Sequence, residues 1–303
     1  KYSSGYDSLR ESRMTRADEL GVIPAGAAIS NYESTAPPWA ELTEANQLQF
    51  SRAQELYAAM IENLDLNVGR LINYLEDSGQ LSNTVIVFTS DHGASAAEHG
   101  QRARLPGEGG PQIPDFIDNR FENWGRPNSF VDHGLGFAEA ATAPLKGYKG
   151  THSEGGLRAA AFVHYPKELP QGTINGTFMT MMDVLPTFLD IAGTEHPGTT
   201  NYNGRRINPI VGRSFWPHLT GRSNTVHLPT DAAGWVQNDG GALIRGDYKI
   251  ISEIVRQEAS DANTENVWKL YNITNDPGEK NDLAQQEPRL TRELVEEWET
   301  NWR

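Results

Sequence analysis

Apolar residues recur every third or fourth position along residues 44–77. Ala53, Leu56, Tyr57, Met60, Leu64, Val68, Leu71, Ile72 and Leu75 make one stripe. The spacing predicts a long amphipathic helix packing that stripe against a core, with Gly79 placed to end it in the left-handed conformation. Thr84-Val85-Ile86-Val87-Phe88-Thr89 follows as a continuous run rich in β-branched residues, the pattern of a strand buried on both faces of a mainly parallel sheet. Helix, short loop, buried strand and polar loop, in that order, is the layout of an α/β fold. In such sheets ligands gather beyond the carboxyl ends of the strands, and Ser90-Asp91-His92-Gly93 occupies such an end.

Residues 1–43 read as irregular apart from a short helix around Asp7 to Leu20; Gly21 to Gly26 and Ala36 to Trp39 carry turn residues. Residues 94–147, rich in Gly and Pro, read as a long excursion over the strand ends, and long ordered loops usually have a functional reason. A second strand is expected at Ala159 to Tyr165, stopped by Pro166. Asp183 is placed to N-cap a helix from Val184 to Ala192, with Pro186 in its first turn and Gly193 after its end. Composition shifts after about residue 226. Ala242 to Arg245 and Tyr248 to Ile251 flank a two-residue Gly-Asp turn, a hairpin signal. A strand at Val267 to Ile273, a turn at Asp276 to Glu279 and a helix from Pro288 to Trp302 complete the chain. The expected organisation is a large α/β domain over residues 1–226 and a small α+β subdomain over 227–303.

Composition narrows the function. With 37% apolar and 22% charged residues the chain is globular rather than disordered. A formal charge of −14 argues against nucleic-acid binding, which wants a basic face, but not against a small anionic substrate met by local cations. No cysteine is present, which removes disulfides, thiolate metal sites and a Cys nucleophile from this chain. No apolar run approaches the ~18 residues that cross a bilayer. Residues 1–16 lack the layout of a signal peptide, and the compartment stays open.

Asp91 and His92, a carboxylate and an imidazole on a loop after a strand, can reach one metal ion together. They can equally form a turn in which Asp91 caps backbone N–H groups. Lys149, within a Gly-rich stretch from Gly147 to Arg158, is a candidate anion contact or a solvated charge. Glu154 and Arg158, four apart, can pair with each other, and His152 reads as a loop residue with a secondary possibility of touching substrate. The remaining histidines, His99, His133, His164, His196, His218 and His227, have no ligand-like spacing, and His164 reads as a core residue of its strand. Asp276 and Glu279 read as turn formers. The sequons at Asn175 and Asn272 receive no function.

The combination is more specific than its parts. Asn83-Thr84-Val85-Ile86-Val87-Phe88-Thr89-Ser90-Asp91-His92-Gly93 resembles the SDnG/SDhG segment of the sulfatase family. Lys149-Gly150-Thr151-His152-Ser153-Glu154-Gly155-Gly156-Leu157-Arg158 resembles its K-G-x-x-x-E-G-G-x-R segment. Met182 to Gly193 is similar to its mDvlPTlldlaG helix, and Tyr271 to Glu279 to its LYdl..DPgE turn, with Asp282-Leu283 where the family usually has Asn-Leu. These segments occur in the family's order, and Lys1 to Arg16 and Tyr57 to Glu62 extend the resemblance upstream, nearest to bacterial arylsulfatases.

The resemblance implies an alkaline-phosphatase-like fold, a mixed sheet between helices, here incomplete for want of its N-terminal part. It implies a sulfuric ester hydrolase acting on a small sulfated substrate, an aryl sulfate first. It further implies a formylglycine nucleophile and Ca²⁺, with Mn²⁺ or Zn²⁺ as alternatives because imidazole suits transition metals better than Ca²⁺. By position Asp91 and His92 would be metal ligands and Lys149 the lysine touching the sulfate and the leaving oxygen. No C/S-x-P-x-R motif and no upstream aspartate pair occur in the chain, so the nucleophile and the other ligands are expected N-terminal to Lys1, and the chain alone is expected to be inactive. A phosphate or phosphonate monoester hydrolase of the same superfamily, or a non-catalytic binder of sulfated ligands, are the alternatives.

Overall fold

The computed structural model describes residues 1–23, 34–97, 116–198, 201–237, 240–254 and 266–302. Among these the elements run α1 (Gly5–Glu19), α2 (Glu44–Asp77), β1 (Ile86–Thr89), α3 (Gly134–Thr142), α4 (Glu154–Leu157), β2 (Ala161–His164) and α5 (Val184–Ile191). The two-residue strands β3 (Asn201–Tyr202) and β4 (Arg205–Arg206) and the short α6 (Trp216–Leu219) follow. The chain then forms β5 (Ala232–Gln237), β6 (Gly240–Arg245), β7 (Tyr248–Ile254), β8 (Asn266–Asn272) and α7 (Pro288–Asn301). The residues Pro24 to Gly26 and the stretch 98–115, including His99, lie outside the described residues.

The long helix has both expected ends. The Thr43 side chain accepts the Asn46 N–H at 3.2 Å. Gly79, at φ +69, lets Gln80 N–H reach Leu75 O at 2.8 Å and Gly79 N–H reach Glu76 O at 2.9 Å, the paired bonds of a Schellman cap. Its apolar stripe departs from expectation. Of α2 only Ala53 and Gln54 are buried, while Met60, Leu64 and Leu71 are 61%, 47% and 56% exposed. Periodicity decides which residues share a face of a helix; it does not decide what covers that face.

The strand before the Asp-His pair also differs in its surroundings. β1 pairs antiparallel with β2, from Ile86 opposite His164 to Thr89 opposite Ala161, and is half-exposed along its length rather than buried on both faces. Phe88 and Phe162 stack across the pair with centroids 5.2 Å apart and planes at 10°. His164 is half-exposed at the end of this pair, not a core residue. A mixed sheet admits such an antiparallel edge.

Within the excursion over 94–147 the sequence reading missed α3. Its Gly134 and Gly136 are poor helix formers, yet the helix packs on α1 and buries Phe137 completely. Tyr6 and Trp39 meet the Phe137 ring edge-on, at 5.6 and 5.9 Å between centroids. Ala36 and Trp39, read as irregular, therefore belong to a core cluster. Tertiary burial has outweighed local propensity here.

The C-terminal sheet is an antiparallel meander in the order β5-β6-β7-β8. The predicted hairpin is present, with Arg245 opposite Tyr248 across the Gly246-Asp247 turn and Gly246 at φ +57. One face of the sheet receives α7, which seals Leu243, Ile250 and Leu270 beneath Leu294 and Trp298. The Trp298 indole donates to Trp235 O at 3.0 Å, and Arg245 reaches Glu293 and Glu297 of α7 at 2.7 and 2.8 Å.

Asp183 occupies the N-cap position expected of it, but its side chain is engaged elsewhere. Its side chain makes no cap bond to α5. It turns back to accept Thr180 N–H at 2.7 Å in a capping box, and also accepts Arg213 N–H at 2.8 Å and a contact from His227 Nε2 at 2.9 Å. Fully buried, it pins three chain segments together.

Candidate functional site

Past Thr89 the chain leaves β1 in a bend. Ser90 N–H donates to Ala160 O at 3.1 Å, extending the β1–β2 ladder by one bond, and Ser90 Oγ donates to His92 O at 2.9 Å. His92 Nδ1 lies 2.8 Å from Gly93 O. A carbonyl only accepts, so Nδ1 is the donor in this contact and Nε2 is left to face outward. That Nε2 faces Asp91 Oδ2 at 3.2 Å, with the Asp91 side chain 84% exposed. An imidazole nitrogen and a carboxylate oxygen at this distance share a positive charge, a proton or a metal ion. An imidazole whose second nitrogen donates to a backbone carbonyl is also the usual posture of a metal-ligating histidine. The donor set thus fits two positions of a divalent metal. Among the described residues no group of three or more His, Cys, Asp or Glu could hold one.

The Gly-rich segment is laced to this bend by its backbone. Gly93 N–H donates to Gly156 O at 3.1 Å and Lys149 N–H to Ala94 O at 2.8 Å. A Cβ on Gly93 would stand 1.7 Å from Gly155 O, so only glycine lets the two backbones approach this closely. Gly155 N–H in turn donates to Lys146 O at 2.7 Å, folding the segment on itself before the single turn of α4. Lys149 sits on the outside of this knot with its side chain exposed. The two motifs are therefore neighbours in space, joined by hydrogen bonds on either side of Gly93 and Ala94.

Glu154 makes the expected pair with Arg158 at 3.9 Å, and a closer one elsewhere. It is buried and bonded at 2.8 Å to Lys249 Nζ, which comes from β7. Lys249 is fully buried and lies 2.9 Å from Glu279, whose second carboxylate oxygen accepts Glu154 N–H at 2.8 Å. Asp276 shapes its turn as expected, accepting Lys280 and Asn281 N–H at 2.8 and 2.7 Å, but Glu279 does not merely turn the chain. Burial raises the Glu279 pKa, against the opposing pull of Lys249.

Two further histidines lie close to these loops, His133 without a sequence signal and His152 read as a loop residue with a secondary possibility of touching substrate. His133, buried under Tyr57, lies 3.0 Å from Ser95 O through Nε2 and 3.0 Å from the Gln54 side-chain amide through Nδ1, fastening the loop after His92 to α2. Burial lowers its pKa below the ordinary 6.5. His152 is half-buried beside Gly240, and its pKa is lowered first by burial and then by the charge of Lys249. His218 is bonded to Asn175 and Thr177 at 2.9 and 3.0 Å, away from these loops in the sequence.

An Asp-His pair at a strand end is thus laced through its backbone to a lysine-bearing glycine loop on an α/β scaffold. Residues 26–194 match the profile of the family described as Sulfatase. The chain is 37% identical over 302 residues to an uncharacterized sulfatase of Schizosaccharomyces pombe, covering 98% of this chain and 52% of that protein. It is 31% identical over 216 residues to the arylsulfatase of Klebsiella aerogenes, covering 71% and 45%. The solved structure of Ps i-CgsB superposes with a TM-score of 0.55 at 21% identity, over 97% of this chain and 54% of that one. The chain belongs to the sulfatase family, and its fold is the expected α/β, alkaline-phosphatase-like one. It spans about half the length of these two curated relatives.

Proposed function

We propose that the protein carrying this chain hydrolyses sulfate esters, aryl sulfates first, and that this chain supplies Lys149 and two metal ligands, Asp91 and His92. The observation that carries the reading is the backbone lacing of the two motif loops, Lys149 N–H to Ala94 O and Gly93 N–H to Gly156 O. It keeps the backbone of the lysine-bearing loop against the bend that carries the carboxylate–imidazole pair at the end of a strand. In this reading the formylglycine and the other ligands come from residues outside the chain. A formylglycine there would supply the attacking oxygen, and Asp91 and His92 would help to hold a Ca²⁺, Mn²⁺ or Zn²⁺ ion that would supply positive charge against the sulfate oxygens.

The residues of this chain act electrostatically and by orientation. A sulfate monoester carries its negative charge on the oxygens of sulfur, and the bridging oxygen gains charge as the S–O bond breaks. The Lys149 ammonium, held by a loop that cannot drift from the Asp-His bend, offsets that charge where it develops. Gly93 O fixes the His92 ring, so that the imidazole offers one nitrogen rather than two. The local cations Lys146 and Lys149 offset a chain whose formal charge is −14.

The test is steady-state kinetics of the full-length protein on 4-nitrophenyl sulfate and on 4-nitrophenyl phosphate. Preference for the sulfate, with Lys149→Ala lowering kcat by ~100-fold, is expected. Preference for the phosphate overturns the sulfate assignment, and an unchanged kcat in Lys149→Ala overturns the role of the lysine.

A further inference from the structure

Lys249, Glu154 and Glu279 form a buried cluster that the sulfatase reading does not use. Lys249 Nζ lies 2.8 Å from Glu154 and 2.9 Å from Glu279, and Glu279 accepts the N–H that opens α4 at 2.8 Å. All three side chains are buried. Two carboxylates against one ammonium is an expensive way to fill a core, since a buried ion cluster is often no more stabilising than apolar residues of the same volume. What such a cluster does supply is direction: each partner accepts one arrangement and penalises others. Here the arrangement joins two distant parts of the chain. Glu154 opens the helical turn that closes the Lys149 loop, while Lys249 and Glu279 belong to β7 and to the turn after β8. A second contact runs in parallel, the Lys146 ammonium lying 6.0 Å from the centre of the Tyr271 ring of β8.

From Glu154 the geometry leads back to the site in two steps. Arg158 N–H donates to Glu154 O and Gly155 N–H to Lys146 O, both at 2.7 Å, so the turn of α4 and the start of the loop move as one piece. That piece carries Gly156 O and Lys149 N, the two atoms bonded to the Asp-His bend. We propose that Lys249 and Glu279 are positioning residues: through Glu154 the C-terminal sheet holds the 147–158 loop at the placement in which Lys149 serves the sulfate ester. The proposal rests on the sulfatase reading of Lys149.

The test is a kinetic double-mutant cycle in the full-length protein on 4-nitrophenyl sulfate. Lys249→Met alone leaves two carboxylates buried without a counter-charge and can prevent folding. The isosteric triple replacement Glu154→Gln, Lys249→Met, Glu279→Gln keeps shape while removing charge, and its folding is checked by cooperative melting. In the presence of Lys149 the triple replacement is expected to lower kcat ~10-fold or more, with KM moving less, because a misplacement of about 1 Å costs up to ~100-fold. In a Lys149→Ala background the same replacement is expected to change kcat less than about 2-fold, since the group it positions is gone. Equal losses with and without Lys149 overturn the positioning role and leave the sulfatase reading intact. A flat Lys149→Ala overturns the role of the lysine, and the proposal with it. Lys249→Arg, which keeps the charge, is expected to keep more of kcat than the triple replacement; no better retention counts against the proposal.

Discussion

Replacing Gly93 by Ala tests the central feature of the site, the contact between two backbones. The added Cβ would stand 1.7 Å from Gly155 O and 2.8 Å from its carbonyl carbon, where ordinary contact begins at 3.4 Å. Both obstacles are backbone, so no side chain can swing aside, and the gap must about double. That movement breaks the Gly93 N–H bond to Gly156 O and strains the Lys149 N–H bond to Ala94 O. Overpacking of this kind costs about 1–3 kcal/mol and the lost hydrogen bond about 1 kcal/mol, so the expected loss is roughly 2–4 kcal/mol. The assay is urea denaturation, in which the midpoint falls at constant m, joined to amide exchange at Lys149, which should accelerate. Gly79→Ala is the control. It meets open space at φ +69 and should cost about 1 kcal/mol while leaving Lys149 exchange unchanged. A Gly93→Ala protein with the wild-type midpoint and wild-type Lys149 exchange would refute the reasoning.

Further outcomes follow from other parts of the structure. Calorimetry on this chain alone should show no sub-micromolar Ca²⁺ binding, because two ligands cannot fill a shell of roughly six or more; tight binding would show a site complete within the chain. The open face of α2, with Met60, Leu64 and Leu71 exposed, should make the isolated chain bind a hydrophobic dye and self-associate in sedimentation; a dye-silent monomer would contradict this. Burial holds the His133 imidazole below its ordinary 6.5, so the unfolded chain takes up that proton first. Its contribution to stability is complete above about pH 6.5 and is lost as pH falls toward the lowered native value. His133→Gln should therefore flatten stability between those limits, although the similarly lowered His152 leaves a residual slope; an unchanged slope in melting experiments would count against it. Trp298→Ala should destabilise the C-terminal sheet by about 3–5 kcal/mol in thermal unfolding, since its ring is buried against Leu243 and Ile250; a change below 1 kcal/mol would be inconsistent with that packing.

What the sequence determined by itself was local. The α2 boundaries, its Gly79 cap, the Gly246-Asp247 hairpin and the terminal helix follow from periodicity, capping and turn chemistry, which act within a few residues. The Asp91-His92 and Lys149 motifs were legible because each is a short contiguous pattern with a family behind it. The tertiary structure decided everything that depends on what lies opposite. It made α3 a helix despite its glycines, because Phe137 finds Tyr6 and Trp39, and it left the α2 stripe open where periodicity alone implied cover. It gave β1 an antiparallel neighbour, and it gave Glu154, besides Arg158 four residues on, a closer partner in Lys249, ninety-five residues on. An ammonium fully removed from water needs its carboxylates at contact distance, and only the folded chain decides which carboxylates those are.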